Sequence, residues 1–396
     1  MSISADPGHF FQTATSLATI SRRLAKAHNQ NGRPLVASSK ILCLLADPTD
    51  FDAVFIGESC GIVRRVTLEA GNTKSALYRG FSTPCTCLAL NSTGRILFAG
   101  AWEKKIIAWD VRSRKVLATF VGHADFVKSL LYLPTGEGVG GGGGGDAGLL
   151  LSGSSDANII IWAAGTGQRI ATLKGHTRAV GAMAVDPVAS SEEEVVVLAG
   201  GSERDIRRWR IPVRNPAGAK EDEDLIREFE TSVHALRFLG EDADCWGASA
   251  DGTARRLEVR VLKELGERTD TVLKHPDYVN DVVMAGNGRW VVTACRDEEV
   301  RVWDVVSGEL YHTFTGHADE VVALAVVGDR GEWLISAGID CTIRRWSLLP
   351  KDLEVAREEA RKAREGEEPE EKVEEKKEGV MTAEEEAELA DLMDSD

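Results

Sequence analysis

An acidic residue followed six positions later by a large one recurs along this chain at a spacing that few folds accommodate. Asp156/Trp162, Asp297/Trp303 and Asp340/Trp346 fit outright, and Glu103/Trp109 and Glu203/Trp209 fit with Glu for Asp. Asp251/Leu257 fits with Leu for Trp, and Cys60/Val66 keeps only the spacing. Successive large residues lie 43, 53, 47, 48, 46 and 43 positions apart, which makes seven units. The last unit, residues 317–348, alternates apolar residues, turns, alternates again, turns at Asp340 and closes on Trp346. That pattern predicts several short strands per unit. A four-stranded unit of this length cannot bury both of its faces alone, whereas a closed ring of such units can, leaving only short protected edges.

Gly122-His123, Gly175-His176 and Gly316-His317, with Trp109-Asp110 and Trp303-Asp304, resemble the WD40-repeat family. The resemblance runs over residues 40 to 348 and rests on recurrence in register. It implies an all-β, seven-bladed WD40 β-propeller. The expected organisation is an N-terminal extension (1–39), a propeller (40–349) and a charged, partly helical or disordered C-terminal tail (350–396). In this family an N-terminal strand usually completes the last blade. Residues 34–38, directly before blade 1, are the preferred choice for that strand, with 16–20 as the alternative. Leu17, Ile20 and Leu24 also share one helical face among Arg22, Arg23 and Lys26.

Charge limits the partners. The chain carries 47 basic and 63 acidic side chains, a net charge of −16, which argues against nucleic acid as a general electrostatic partner. From Lys351 onward there are 8 basic and 19 acidic residues, 8 − 19 = −11, so the remainder is only mildly acidic. Seven cysteines without a paired framework point to a reducing, intracellular compartment, cytoplasm or nucleus. No apolar run approaches the roughly 18 residues of a membrane span. A glycine-rich run with six consecutive glycines at 140–145 is expected to form a loop between the first two strands of blade 3. Near the end, Thr382 and Glu385 match a capping box, and Leu389, Leu392 and Met393 then share a face, predicting a short amphipathic helix over 382–393.

Three polar sets invite a catalytic reading: His123, Ser152, Asp156 and Trp162; His275, Thr293, Asp297 and Trp303; His317, Ser336, Asp340 and Trp346. An active site occurs once, however, and these sets repeat in register with the blades. The family resemblance implies instead a structural chain of hydrogen bonds from the His through Asp and Ser/Thr to the Trp N–H. No catalytic residue, metal site or cofactor is expected. Asp125, Asp281, Asp319 and Glu320 form no compact ligand set, and no Gly-Lys-Ser/Thr follows the glycine run.

Function then rests on surfaces. Trp102, Asp125, Phe126, Arg178, Tyr278, Asn280, Asp319 and Glu320 fall in loops that cluster on one face in this family, and Trp, Tyr and Arg dominate binding hot spots. Leu389, Leu392 and Met393 offer a second docking element. Four arginine doublets, Arg64-Arg65, Arg207-Arg208, Arg255-Arg256 and Arg344-Arg345, precede the large residue of their blades. Alternation sends the two members to opposite blade faces, as buried ion pairs or as a basic strip. Trp109-Asp110-Val111-Arg112 matches the signature of WD40 substrate receptors of cullin-4-type ubiquitin ligases, in which the Arg engages the adaptor. The expected function is a non-catalytic scaffold assembling a hetero-complex with other proteins or peptides. The alternatives are such a ligase receptor, or a non-catalytic subunit of an RNA-modifying or ribosome-assembly complex.

Overall fold

A computed structural model describes residues 14–26, 29–68, 76–135, 148–239, 244–259, 269–286 and 288–365. The glycine run at 140–145 and the helix expected over 382–393, with Leu389, Leu392 and Met393, lie outside the described residues.

Seven four-stranded antiparallel sheets follow one another along the chain. Their first, inner strands are Ile41–Ala46, Cys85–Leu90, Val127–Pro134, Val180–Asp186, Val233–Leu239, Val279–Ala285 and Val321–Val327. Blades 1 to 6 take all four strands in sequence order. Blade 7 takes three, Val321–Val327, Trp333–Gly338 and Thr342–Ser347, and borrows its outer strand from Leu35–Val36. Leu35 pairs with Ile343 and Val36 with Thr342. The flanks add Ala37 N–H to Cys341 O at 2.8 Å and Arg345 N–H to Gly32 O at 2.8 Å. Residues 16–20, the alternative closing strand, lie instead within helix α1 (Ala14–Lys26).

Burial distinguishes strands that look alike in sequence. The inner strand of blade 2 alternates buried and half-buried residues, because one side packs on a neighbouring blade and the other meets the central channel. The second strands are buried throughout in Ala53–Glu58, Gly148–Ser154 and Trp290–Cys295, and buried beyond their first one or two residues in the other blades, because neighbouring blades cover both of their faces. The core is therefore a series of slabs between blades. One holds Trp290, Val292, Leu324, Leu334 and Trp346, and another holds Phe98, Phe120, Leu150 and Trp162.

Every inner strand carries a register shift at its first residues, and the seven skipped positions are Leu42, Thr86, Lys128, Gly181, His234, Asn280 and Val322. All seven line the channel, whose volume is about 230 Å3. A bulge re-aims a side chain out of the alternation. Here Thr86 Oγ1 donates to Val127 O at 2.5 Å, His234 Nδ1 to Val279 O at 3.1 Å and Asn280 Nδ2 to Val321 O at 2.8 Å. In each case the acceptor is the first residue of the inner strand of another blade, so the bulge fastens two blades together.

The tail begins with a second helix, α2 (Pro350–Glu365). Ser347 Oγ donates to Asp352 at 2.5 Å, and Leu353 at the start of α2 is fully buried beside Leu348.

Candidate functional face

The third strand of each blade separates two sets of turns. At its start sits the first residue of the recurring pair, an acid in every blade but the first, and in all blades but the fourth the residue after it is left-handed. This residue is Gly61 (φ 81°) and Gly252 (φ 77°) in blades 1 and 5, but Lys104, Ala157, Glu298 and Cys341 in blades 2, 3, 6 and 7, at φ 64° to 77°. Such turns are costly for residues with a side chain and hold a fixed shape only when their surroundings impose it.

In blades 3 and 7 the hydrogen-bonded sets supply that constraint. His123 Nδ1 lies 2.9 Å from Asp156, its Nε2 lies 2.7 Å from Ser152 Oγ, and Trp162 Nε1 donates to the same Oγ at 2.8 Å. His317, Asp340, Ser336 and Trp346 repeat this at 3.0, 2.7 and 2.9 Å. The neutral imidazole donates to the carboxylate and accepts from the hydroxyl, whose oxygen accepts from the indole. Burial pushes the His123 imidazole below its usual value despite the opposing pull of Asp156. Ser152, Thr293 and Ser336 are fully buried, so these hydroxyls face no substrate.

Blade 6 departs from the expected set. His275 Nε2 meets Thr293 at 2.7 Å and Trp303 donates to Thr293 at 2.9 Å, but His275 Nδ1 turns to Leu273 O at 3.1 Å. Asp297 is taken by Arg301, at 3.1 and 2.5 Å, and so is not part of the His275 chain. Burial, reinforced by the Arg301 charge, holds His275 at about 4.

Blade 4 is incomplete in a different way. His176 pairs with Glu203, but the position ten residues before Trp209, where blades 3, 6 and 7 carry Ser or Thr, is Ala199. His176 Nε2 and Trp209 Nε1 are both left buried without a partner. Replacing Ala199 with Ser supplies one oxygen to both, and is expected to stabilise the chain by about 1–2 kcal/mol. Urea unfolding of Ala199→Ser beside the parent chain checks this, and a midpoint that fails to rise would show that the hydroxyl does not reach both groups.

The surface candidates divide into two groups. Around blades 2 and 3, Trp102 is 43% exposed and its ring stacks on Phe126 with centroids 5.1 Å apart and planes 17° apart. The turn beneath is pinned by Glu103, which accepts from Ser82 N–H and Oγ at 2.5 and 2.7 Å and pairs with Lys105. Burial opposes that charge, yet Lys105 and Ser82 together hold the Glu103 carboxyl at about 2. Asp125 accepts from Phe126 N–H at 2.8 Å, and Arg178 is exposed in the next loop.

On the opposite part of the ring the candidates are engaged internally. Asn280 donates to Glu320 at 2.9 Å as well as to Val321 O, and Asp319 pairs with Arg23 of α1 at 2.6 Å. Tyr278 is half exposed, under the Arg296 guanidinium at 5.0 Å. The engagement by α1 has no periodic signature, because the contact joins residues about 275–300 positions apart.

Arg112 is exposed but follows the third strand of blade 2, at the other end of the ring from Trp102. The doublets prove to be paired. Arg64 meets Glu58 at 2.7 Å, Arg65 meets Asp47 and Asp50 at 2.6 and 2.8 Å, Arg256 meets Asp244 at 2.9 Å and Arg345 meets Asp52 at 3.0 Å. Arg207 meets Glu221 at 2.5 Å, Arg208 meets Val259 O, and Arg255 meets Asp251 at 3.4 Å. Their charge is spent on intramolecular carboxylates and carbonyls. Among the described residues no group of three or more His, Cys, Asp or Glu could hold a metal ion, and no helix is long and apolar enough to cross a membrane.

The family model for the WD domain, G-beta repeat, matches residues 72–110, 114–163, 266–304 and 308–347, which hold the third-strand Trp of blades 2, 3, 6 and 7. An uncharacterized WD repeat-containing protein of Schizosaccharomyces pombe is 32% identical over 356 residues, covering 87% of this chain and 89% of that protein. The chain belongs to the WD40-repeat family. This WD40 propeller is also 29% identical over 258 residues to the nuclear distribution protein PAC1 of Arthroderma benhamiae, covering 64% of the chain and 47% of that protein. To the cilia- and flagella-associated protein 52 of Mus musculus it is 21% identical over 291 residues, covering 63% and 43%. The chain thus spans less than half of these two longer relatives. WD40 propellers generally bind other proteins and are generally a non-catalytic scaffold fold.

Proposed function

We propose that this WD40 propeller is a non-catalytic, intracellular platform that assembles a multiprotein complex, and that the Trp102–Phe126 surface of blades 2 and 3 receives one of its partners. The observation that carries this reading is the pair itself. Two aromatic rings from different blades stack on each other at a half-exposed position, on a turn fixed by Glu103, Ser82 and Lys105. Rigid aromatic area offered at low entropic cost is what binding hot spots are made of. The neighbouring Asp125 and the exposed Arg178 supply a polar rim.

The experiment is affinity purification of the intact chain and of the Trp102→Ala/Phe126→Ala variant, with co-purifying proteins quantified by mass spectrometry. Loss of about 2–4 kcal/mol at a hot spot corresponds to a roughly 30- to 1,000-fold drop in affinity. At least one prominent partner is therefore expected to disappear while the unfolding midpoint stays unchanged. An unchanged partner list would sink the proposal. A second reading, adaptor binding as a ubiquitin-ligase receptor, is favoured by the exposure of Arg112 alone. It predicts that Arg112→Ala, on the opposite end of the ring, removes a different partner.

A further inference from the structure

Three cations on one helix converge on a single carboxylate. Arg22 reaches Glu298 through Nη2 at 2.9 Å and Nε at 3.1 Å, Arg23 through Nε at 3.3 Å and Lys26 through Nζ at 3.2 Å. Lys26 also meets Glu299 at 2.6 Å, and Arg23 also meets Asp319 at 2.6 Å. The Glu298 side chain has no exposed surface, although it stands on the left-handed turn of blade 6 at φ 77°. The anchor acid beside it, Asp297, is already committed to Arg301.

The helix is held the opposite way round from an ordinary surface helix. Its basic face is docked, while Leu17, Ile20 and Leu24 are 48%, 44% and 67% exposed. No described residue of α1 belongs to a core cluster of the ring. Among the described residues, ring closure draws on the chain from Asn29 onward, where the Asn29 carbonyl accepts from Arg344 at 3.1 Å. Part-exposed ion pairs of this kind each contribute about 1 kcal/mol or less and weaken with salt. Their hold on α1 is sustained by the short connection to Asn29, which keeps the helix at high local concentration.

We propose that Glu298, Glu299 and Asp319 form a docking site for a basic helical segment of another protein, and that α1 occupies this site in cis as a competitor. The recognised segment carries two adjacent cations and a third three or four residues later, the spacing of Arg22, Arg23 and Lys26 on one helical face. A partner helix that adds apolar contacts of its own displaces α1, and the exposed Leu17, Ile20 and Leu24 leave with it.

The test uses a fluorescent peptide of residues 14–28 as the probe, with the full chain and its Arg22→Ala/Arg23→Ala/Lys26→Ala variant as receptors, read by anisotropy. The variant, whose own helix no longer competes, is expected to bind the peptide about tenfold or more tightly than the parent chain. Adding Glu298→Gln or Glu298→Gly to the variant is expected to abolish binding. The glycine form suits the left-handed turn, as Gly61 and Gly252 do in blades 1 and 5, so its folding is not in question. Equal binding to parent and variant, no binding to either, or binding that survives both Glu298 changes would each overturn the proposal.

Discussion

A chain shortened to begin at Ser39 is expected to lose at least about 5 kcal/mol of stability, whereas one shortened to begin at Asn29 keeps the parent midpoint. The longer deletion removes Leu35–Val36 and with it both residue pairs to blade 7, the Ala37–Cys341 bond and the Gly32–Arg345 bond. It also removes the carbonyls of Asn29 and Asn31, to which Arg344, 2% exposed, donates. Burial already pulls that guanidinium below its usual value, and only the Asp340 charge opposes it. Each hydrogen bond lost from this charged group, which keeps Thr342 Oγ1 at 3.3 Å, costs about 1.5–3 kcal/mol, and each lost backbone bond adds about 1 kcal/mol. Urea unfolding followed by tryptophan fluorescence, with gel filtration to detect association through the opened edge of Thr342–Ser347, separates the two chains. A Ser39 chain as stable as the parent would mean that the two-residue closing strand contributes little.

The second large effect is expected at Asp281. Its carboxylate takes both forks of Arg237, at 2.9 and 2.9 Å, and also accepts the N–H of Leu324 at 3.0 Å, joining blades 5, 6 and 7 through one buried side chain. Asp281→Ala leaves the Leu324 N–H buried without a partner and the guanidinium without its counter-charge. Because Arg237 keeps 41% of its side chain in channel water, the expected loss is nearer the lower limit, about 3 kcal/mol. For a ring of this size that is a fall in melting temperature on the order of 5–10 °C. Asp281→Asn, which keeps one acceptor oxygen, is expected to lose less. Calorimetry of the three proteins orders them, and an alanine variant that melts with the parent would remove Asp281 as a link between blades.

Much of the ring is legible because each blade repeats one requirement. Trp162, Trp303 and Trp346 announce it through a hydroxyl ten residues earlier, and spacing alone extends the count to blades 1, 4 and 5, which the family model does not match as repeats. What the period does not encode is pairing that differs from blade to blade. Arg301 diverts Asp297 from His275, and Ala199 leaves the blade 4 set open, since each is a single-residue departure within an intact repeat. The bulges are hidden for another reason. Thr86, His234 and Asn280 are polar residues within apolar stretches, which reads as ordinary alternation until the register shows that they reach another blade. Likewise, the stripe of Leu17, Ile20 and Leu24 fits the helix that forms, but not which side of it is held, because Glu298, Glu299 and Asp319, far away in sequence, claim the basic side. Asn280, Asp319 and Glu320 are candidates by position, and their contacts to Val321, Arg23 and Asn280 are long-range facts that local sequence does not carry.

The closing strand also sets the timing of biosynthesis. Leu35 meets Ile343, a residue made 308 positions later. At about 5–20 residues per second, the strand waits roughly 15–60 s after its own synthesis before its partner exists. During that interval six sheets gather their complete sets of strands, while Leu35–Val36 has no site to receive it. A protein of this design depends on Leu35–Val36 remaining unattached until the last blade emerges.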